Sequence, residues 1–310
     1  MKKVLVNLSL LLFLSLGSYA QEKDQYGGFL DIKGKKTGFF HTEKIDGRWW
    51  LVTPEGHAFH GVGMAHPVTG FTKSAVLFTY DGDQEAFFKG AIERMRYLGY
   101  NCVWSGPYCP ERLQYGYINK ELADKVFRDA EIPYVFPIPL IKHDVEYAPD
   151  QKRPDVFSKE YAQFVEDITA KYAPVLKDDP WVMGSYWGFG SFDQEEVWLN
   201  HTLERKGSPG RERFMNILEE RYEGDIDKFN KVYGTDFESF KILAQNAELS
   251  YPRWIKHVKF GRIELPEKFG AKDMYEDFQA LLGEMVFKVY KLGHDAMKKH
   301  DPNHLLFGSY

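Results

Sequence analysis

Apolar runs of strand length alternate with amphipathic helical segments along most of this sequence, and this alternation limits the possible fold more than any other feature. The helical segments repeat apolar residues every three or four positions, whereas the runs between them are short and continuously apolar. Such alternation is typical of a parallel sheet with right-handed helical crossovers. The predicted strands cover residues 58–64, 101–105, 134–140, 181–187 and 305–310.

The helices between these strands carry local start and stop signals. Gly99 follows a predicted helix at 84–98, Asn119 and Ser158 are in N-cap positions, and the longest helix is predicted over 273–299. We therefore predict an α/β fold, the N-terminal portion of a (β/α)8 TIM-type barrel with about five of its strands present. The barrel needs three further βα units, so an open five-stranded sheet is the competing interpretation.

The beginning of the chain differs from this pattern. Residues 1–20 combine Lys2 and Lys3 with an apolar run that is too short to span a bilayer, and small residues follow near Ala20. This arrangement predicts a signal peptide and an exported protein, periplasmic or extracellular. Residues 21–37 are predicted to form a loose lead-in.

A barrel domain over residues 38–310 is expected to follow the lead-in. It opens with a short β meander, in which Asp46-Gly47 predicts a tight hairpin turn. A long polar insertion at about 192–272 separates the fourth strand from the longest helix. Within it, Asp225 is in position to cap a short helix over 226–232.

Charge and motif content exclude several classes of function. The formal net charge is -5. It becomes -7 once residues 1–20 are removed, because Lys2 and Lys3 are the charged residues of that segment. An acidic chain without a basic stripe is a poor partner for nucleic acid or an anionic membrane. The sequence has no HExxH or similar spacing and no Gly-x-Gly-x-x-Gly after the first strand, so we expect neither a metal nor another cofactor. Cys102 and Cys109 can form a disulfide in an oxidising compartment, but sequence cannot establish the geometry.

Four segments in the same order resemble the β-agarases of glycoside hydrolase family 50. The third is also similar to family 42 β-galactosidases. The segments read GFFHTEKIDGRWWLVTPEGHAFHGVGM, DDPWVMGSY, YEGDIDKFNKVYGTDFESF and HDPNHLLFGSY. The resemblance implies a retaining glycoside hydrolase that cleaves a galactose-containing polysaccharide. Such enzymes have an acid/base glutamate after the fourth barrel strand and a nucleophilic glutamate after the seventh, and no residue of this sequence corresponds to the nucleophile.

The sequence departs from this family at the acid/base position. The family usually has Asn-Glu there, and counting without gaps from Gly184 places those positions at Phe189 and Gly190, which cannot donate a proton. The nearest carboxylates follow in FDQEEVW, and of these Glu195 and Glu196 are the candidates for the acid/base residue. The competing interpretation is that these are solvated loop charges.

The loss of Asn-Glu leaves two further hypotheses open. One is a non-catalytic polysaccharide-binding protein of the same fold, and the other is an unrelated hydrolase that uses Asp144 or Asp193. Residues near the predicted strand ends are candidates for contact with sugar, because barrel enzymes bind substrate there. The competing interpretations are packing for the tryptophans and Phe189, a structural turn for His66 and a solvated charge for Asp144. The candidates are His66, Trp104, Tyr108, Asp144, Trp187 and Phe189.

Overall fold

A computed structural model describes residues 21–65, 67–68, 72–104, 119–138, 140, 154–187, 195–258 and 262–308. The chain divides into two compact units. Unit 1 consists of Met1–Val135 and Asp179–Gly184, and unit 2 consists of Phe136–Asp178 and Ser185–Tyr310. The predicted signal peptide lies outside the described residues.

The described part of unit 1 includes a four-stranded antiparallel sheet near its start. Its strands are β1 (Phe29–Lys33), β2 (His41–Ile45), β3 (Arg48–Val52) and β4 (His57–Phe59), in the order β1-β4-β3-β2. Asp46 and Gly47 both have positive φ, 49° and 82°, which gives the predicted tight turn between β2 and β3 its geometry. The predicted meander is confirmed.

Two predictions about this region are wrong. Residues 21–37 are not a loose lead-in throughout, because Phe29–Lys33 forms β1 and pairs with β4. Residues 58–64 are not one strand. Ala58 and Phe59 pair antiparallel with β3, whereas β5 (Gly63–Ala65) pairs in parallel with β6 (Cys102–Trp104). The chain changes sheets between these pairings, and strand pairing of this kind depends on distant partners.

The second sheet is parallel and has five strands. They are β5, β6, β7 (Tyr134–Ile138), β8 (Val182–Trp187) and β11 (Leu305–Phe307), and the spatial order β11-β8-β7-β6-β5 follows the order in the chain. The last four lie within the predicted ranges, whereas the first overlaps the end of its range and extends one residue beyond it. The predicted α/β class and its parallel sheet are confirmed.

Among the described residues of unit 1 there are three helices, α1 (Thr72–Thr79), α2 (Gln84–Tyr97) and α3 (Lys120–Asp129). The side chain of Asn119 accepts a hydrogen bond from the backbone nitrogen of Leu122 over 3.0 Å, which confirms the predicted cap. Cys102 is a free and fully buried cysteine, and burial raises the pKa of its thiol to about 12. Cys109 lies outside the described residues.

Unit 2 contains most of the helices that the structure describes. They are α4 (Lys159–Leu176), α5 (Glu195–Leu203), α6 (Pro209–Arg221), α7 (Ile226–Tyr233), α8 (Phe240–Asn246) and α9 (Ala271–His300). A hairpin of β9 (Lys256–Val258) and β10 (Arg262–Glu264) precedes α9. Ser158 and Asp225 cap α4 and α7 as predicted, and α9 is the predicted long helix. Among the described helices, none is long and apolar enough to cross a membrane.

The core of unit 2 lies between α9, α4 and the helices of the insertion. Phe214 of α6 packs against Phe278 of α9, with ring centroids 5.1 Å apart, and Tyr251 meets the same Phe278 ring edge-on at 5.5 Å. All three side chains are almost completely buried. The described part of the predicted insertion therefore consists mainly of helices that pack on α9 through aromatic side chains.

Candidate functional site

The described strand ends include two of the predicted sugar contacts. Trp104 is the last residue of β6, and its 37% exposure leaves part of the ring available to solvent. Trp187 is the last residue of β8, but its side chain is not described. The other predicted contacts, His66, Tyr108, Asp144 and Phe189, lie outside the described residues, as does Asp193.

The two candidate acid/base residues occupy the first turn of α5. Glu195 and Glu196 begin this helix, where the partial positive charge of the helix N-terminus stabilises acidic side chains. The structure distinguishes between them, because Glu195 is half-buried and Glu196 is exposed. The exposed position of Glu196 fits a solvated charge, whereas Glu195 is held by specific contacts.

Glu195 accepts hydrogen bonds from two distant side chains of unit 2. The hydroxyl of Tyr251 donates to Glu195 Oε2 over 3.1 Å, and Nε2 of Gln279 donates to the same oxygen over 2.9 Å. Tyr251 follows α8, and Gln279 belongs to α9. The carboxylate is thus fixed from two directions while part of the side chain still reaches solvent.

Tyr251 is itself held firmly. Its backbone nitrogen donates to Asn200 Oδ1 of α5 over 2.6 Å, and its ring packs edge-on against Phe278. Burial raises the pKa of the Tyr251 phenol, and the charge of Glu195 and the hydrogen bond to it raise this pKa further. The phenol therefore keeps its proton at neutral pH and acts as a donor to Glu195.

The charge of Glu195 also acts on the hydroxyl of a second tyrosine, Tyr275. Burial first, and then the charge of Glu195, raise the pKa of Tyr275 near the start of α9. Together, Glu195, Tyr251, Tyr275 and Gln279 form what we call the Glu195 cluster. A fixed carboxylate with neighbouring aromatic and amide groups can accept a hydrogen bond from a sugar hydroxyl or exchange a proton with a sugar oxygen.

The partners of Glu195 carry no local signal in the sequence. Gln279 directly follows an apolar stripe residue of α9, and Tyr251 lies in a connecting segment. They are 84 and 56 residues away from Glu195 along the chain. Only the packing of the insertion against α9 brings them together.

A separate buried network includes residues of 222–240, the segment that resembles both β-agarases and β-galactosidases. Asp277 of α9 is fully buried and accepts hydrogen bonds from Tyr222 and Tyr233, each over 2.8 Å, and from Arg221 over 2.5 Å. Burial raises the pKa of Asp277, and these donors offset part of that effect. The segment therefore has a structural role, because it fixes α6 and α7 to α9.

A cavity of about 330 Å³ lies at the start of α4 and α6. Asp155 lines it and is almost fully buried, and its carboxylate accepts hydrogen bonds from the backbone nitrogens of Phe157 and Gly210 over 3.0 and 2.8 Å. Burial raises the pKa of Asp155, although these two hydrogen bonds oppose the effect. The remaining lining residues include Glu160, Arg205 and Lys206, so both signs of charge face this space.

One group in the described part of the chain has ligand atoms close enough to hold a metal ion. Asp24, Glu55 and His57 offer atoms within 4.8 Å of one another. The carboxylate of Asp24 already accepts a bond from Thr53 Oγ1 over 2.6 Å, lies 2.8 Å from His57 Nδ1, and accepts from two backbone amides. These hydrogen bonds account for the short distances within the group, since they connect the segment before β1 to the turn between β3 and β4.

Comparison with known proteins shows which sequences this chain is similar to. No family model matches the sequence. β-Agarase B from Vibrio sp. (strain JT0107) is 26% identical over 350 residues, an alignment that covers 92% of this chain and 35% of that protein. The chain resembles β-agarases. This confirms the resemblance that the four sequence segments indicated.

Solved structures of agarases share the fold. The agarase AgWH50C superposes with a TM-score of 0.61 at 21% identity, over 98% of this chain and 49% of that one. An exo-β-agarase gives a TM-score of 0.63 at 20% identity, over 93% and 48% of the two chains. The chain spans about a third of the length of the curated agarases and about half of these structures.

Proposed function

We propose that this chain belongs to an exported glycoside hydrolase that acts on a galactose-containing polysaccharide, with retention of configuration. The observation that carries the proposal is the similarity to a β-agarase over 92% of the chain. Four ordered sequence segments and the agarase-like fold support the same conclusion. The proposed substrate class is agarose or a related galactan.

We propose further that residues 38–310 form the first part of a (β/α)8 barrel. The five parallel strands belong to this part. In a doubly wound sheet the strand order reverses at a switch point, whereas barrel strands follow one another around the axis. The observed order follows the chain without reversal, which supports the barrel. Sugar would bind at the carboxyl ends of the strands, near Trp104 and Trp187. His66, Tyr108, Asp144 and Phe189 complete the proposed set of contacts.

Glu195 is the proposed acid/base residue. Retention requires one carboxyl group that donates a proton to the glycosidic oxygen and a second one, about 5 Å away, that attacks the sugar. Gln194-Glu195 has the same amide-then-acid order as the Asn-Glu of the family and follows the Phe189-Gly190 position by five residues. Glu195 is half-buried and accepts two hydrogen bonds, so it suits this role better than the exposed Glu196. The nucleophile has no assignment within these 310 residues.

A specific observation favours a second candidate function, the non-catalytic binding of polysaccharide. Phe189 and Gly190 occupy the positions at which the family usually has Asn-Glu. Glu195 also makes two hydrogen bonds to the protein that fit a structural tie. In this alternative, aromatic side chains such as Trp104 retain the sugar while no bond is cleaved.

A panel of galactans separates the two functions. The purified full-length protein is incubated with agarose and other galactans, reducing ends are measured over time, and binding is measured by affinity electrophoresis. The hydrolase proposal predicts release of reducing ends from at least one galactan, with the anomeric configuration retained in the first product by NMR. Binding without release would support the non-catalytic function, and neither binding nor release would contradict both.

Export is proposed on the basis of residues 1–20. Expression in a bacterial host followed by N-terminal sequencing tests it. We expect the exported protein to begin at Gln21, directly after Ala20. Retention of Lys2 and Lys3 in protein found only inside the cell would contradict the proposal.

A further inference from the structure

The hydrogen bonds of the Glu195 cluster hold the carboxylate of Glu195 in one orientation. Two donors in the described part of the chain converge on the same oxygen, Glu195 Oε2, over 3.1 Å from Tyr251 and 2.9 Å from Gln279. The carboxylate cannot rotate about its last bond without losing both hydrogen bonds. Its direction is therefore fixed by two residues from different elements, Tyr251 of the insertion and Gln279 of α9.

The donors are held in place by separate elements. Tyr251 is fixed through its backbone bond to Asn200 of α5 and its ring contact with Phe278 of α9. Gln279 is the next residue after Phe278, so its amide is carried by the same buried turn of the helix. The geometry at Glu195 thus depends on the packing of α5 against α9 and persists as long as that packing does.

Glu195 remains partly accessible despite this fixation. A carboxylate that serves only as a structural tie can be buried completely, as Asp277 is in the same unit. A fixed but accessible carboxylate matches the requirement of a group that must meet a bound sugar at a defined angle. When such a group donates a proton, negative charge develops on it, and preorganised donors stabilise that charge.

We propose that Tyr251 and Gln279 are positioning residues that orient the carboxyl group of Glu195 toward the bound sugar. This rests on the proposed function, in which Glu195 acts as the acid/base residue. In the first step the Glu195 proton moves to the glycosidic oxygen, and the carbon–oxygen bond breaks with its electrons remaining on that oxygen, while the second carboxylate that retention requires forms a bond to the anomeric carbon. The resulting carboxylate is then stabilised by the Tyr251 hydroxyl and the Gln279 amide.

The variants Tyr251→Phe and Gln279→Met remove one donor each and preserve the size of the side chain. Gln163→Met on α4 is the matched control, because Gln163 makes an exposed hydrogen bond to Asp167 on its own helix. For each protein, kcat and KM on soluble agarose oligosaccharides and the melting temperature are measured. We expect kcat to fall roughly tenfold or more in the two test variants, with KM changed less than about twofold and the control unchanged.

A double-mutant cycle with Glu195→Gln makes the test specific. If Tyr251 and Gln279 act through Glu195, adding either substitution to Glu195→Gln causes little further loss of kcat. Fully additive losses, or single variants that match Gln163→Met, would overturn the positioning role. A loss of kcat that is explained by a lower melting temperature alone would also overturn it.

The failure of the proposed function is distinguishable from the failure of this inference. If the wild-type protein releases no reducing ends, the hydrolase proposal fails, and the same cycle is measured on the Kd for the oligosaccharides. Positioning then predicts weaker binding in Tyr251→Phe and Gln279→Met, with no further weakening when Glu195→Gln is already present. Unchanged binding in the single variants would overturn the inference on its own.

Discussion

The hydroxyl of Tyr222 donates a hydrogen bond over 2.8 Å to the carboxylate of Asp277, although 55 residues separate the two in the chain. Tyr233 donates to the same oxygen, and Arg221 donates to the other. All of these donors come from α6, α7 and the turn between them. The insertion is therefore fastened to α9 by one buried carboxylate, on the same helix that carries Gln279.

Replacement of Asp277 should destabilise the protein strongly. Asp277→Ala leaves the hydroxyls of Tyr222 and Tyr233 without this acceptor and removes the closer of the two carboxylates bonded to Arg221. We expect a loss of about 3 kcal/mol in the free energy of unfolding. Urea denaturation of the variant and of the exposed control Asp236→Ala measures the effect. A loss below about 1 kcal/mol would show that the network contributes little.

Alanine substitutions at two glycines are expected to change the stability of the protein in opposite directions. A Cβ at Gly210 would lie 2.4 Å from Thr202 Cγ2 and 2.8 Å from Asp155 Oδ1, so Gly210→Ala should destabilise by roughly 1–3 kcal/mol. A Cβ at Gly283, on the exposed side of α9, meets nothing within 4 Å. Gly283→Ala should therefore stabilise by up to about 1 kcal/mol. Melting curves of both variants test the pair, and shifts of the same sign would contradict the packing.

The turn between α9 and β11 should make stability depend on pH. Asp301 is buried with His304, whose Nδ1 lies 2.7 Å from Asp301 Oδ2. Burial alone raises the pKa of Asp301, but the hydrogen bonds and charge of His304 outweigh it, and the pKa is lowered in the folded state. Because the unfolded chain then binds this proton more tightly, the stabilisation is present above the ordinary carboxyl pKa of about 4 and is lost as pH falls through the folded pKa.

Asp301→Asn tests this dependence. The free energy of unfolding is measured for the wild type and the variant from neutral pH down to about pH 3. The advantage of the wild type should be constant near neutral pH and shrink below about pH 4. An advantage that stays constant or grows in acid would contradict the lowered pKa.

Features encoded by adjacent residues were predictable from the sequence. The caps Asn119, Ser158 and Asp225 each bond to a backbone nitrogen two or three residues ahead, so the local sequence contains both partners. The parallel strands were predicted from their apolar runs for a similar reason. The α/β class followed from the alternation of these elements.

Features that depend on distant partners were not predictable in this way. Strand β1 and the division of residues 58–64 between two sheets depend on pairing with β4, β3 and β6. The sequence indicated Glu195 as a candidate, but its partners Tyr251 and Gln279 come from the tertiary packing of α5 against α9. No pattern within a few residues of Glu195 records that packing.

The most direct test of the central claim compares two substrates in Glu195→Gln. An aryl galactoside with a good leaving group needs little protonation, whereas a galactan oligosaccharide needs an acid. We expect Glu195→Gln to lose 10²–10⁴-fold in kcat/KM on the oligosaccharide, the range for removal of a general acid, and about tenfold or less on the aryl galactoside. Glu196→Gln should match the wild type on both substrates. Cleavage of the oligosaccharide by Glu195→Gln at the wild-type rate would contradict the assignment of Glu195 as the acid.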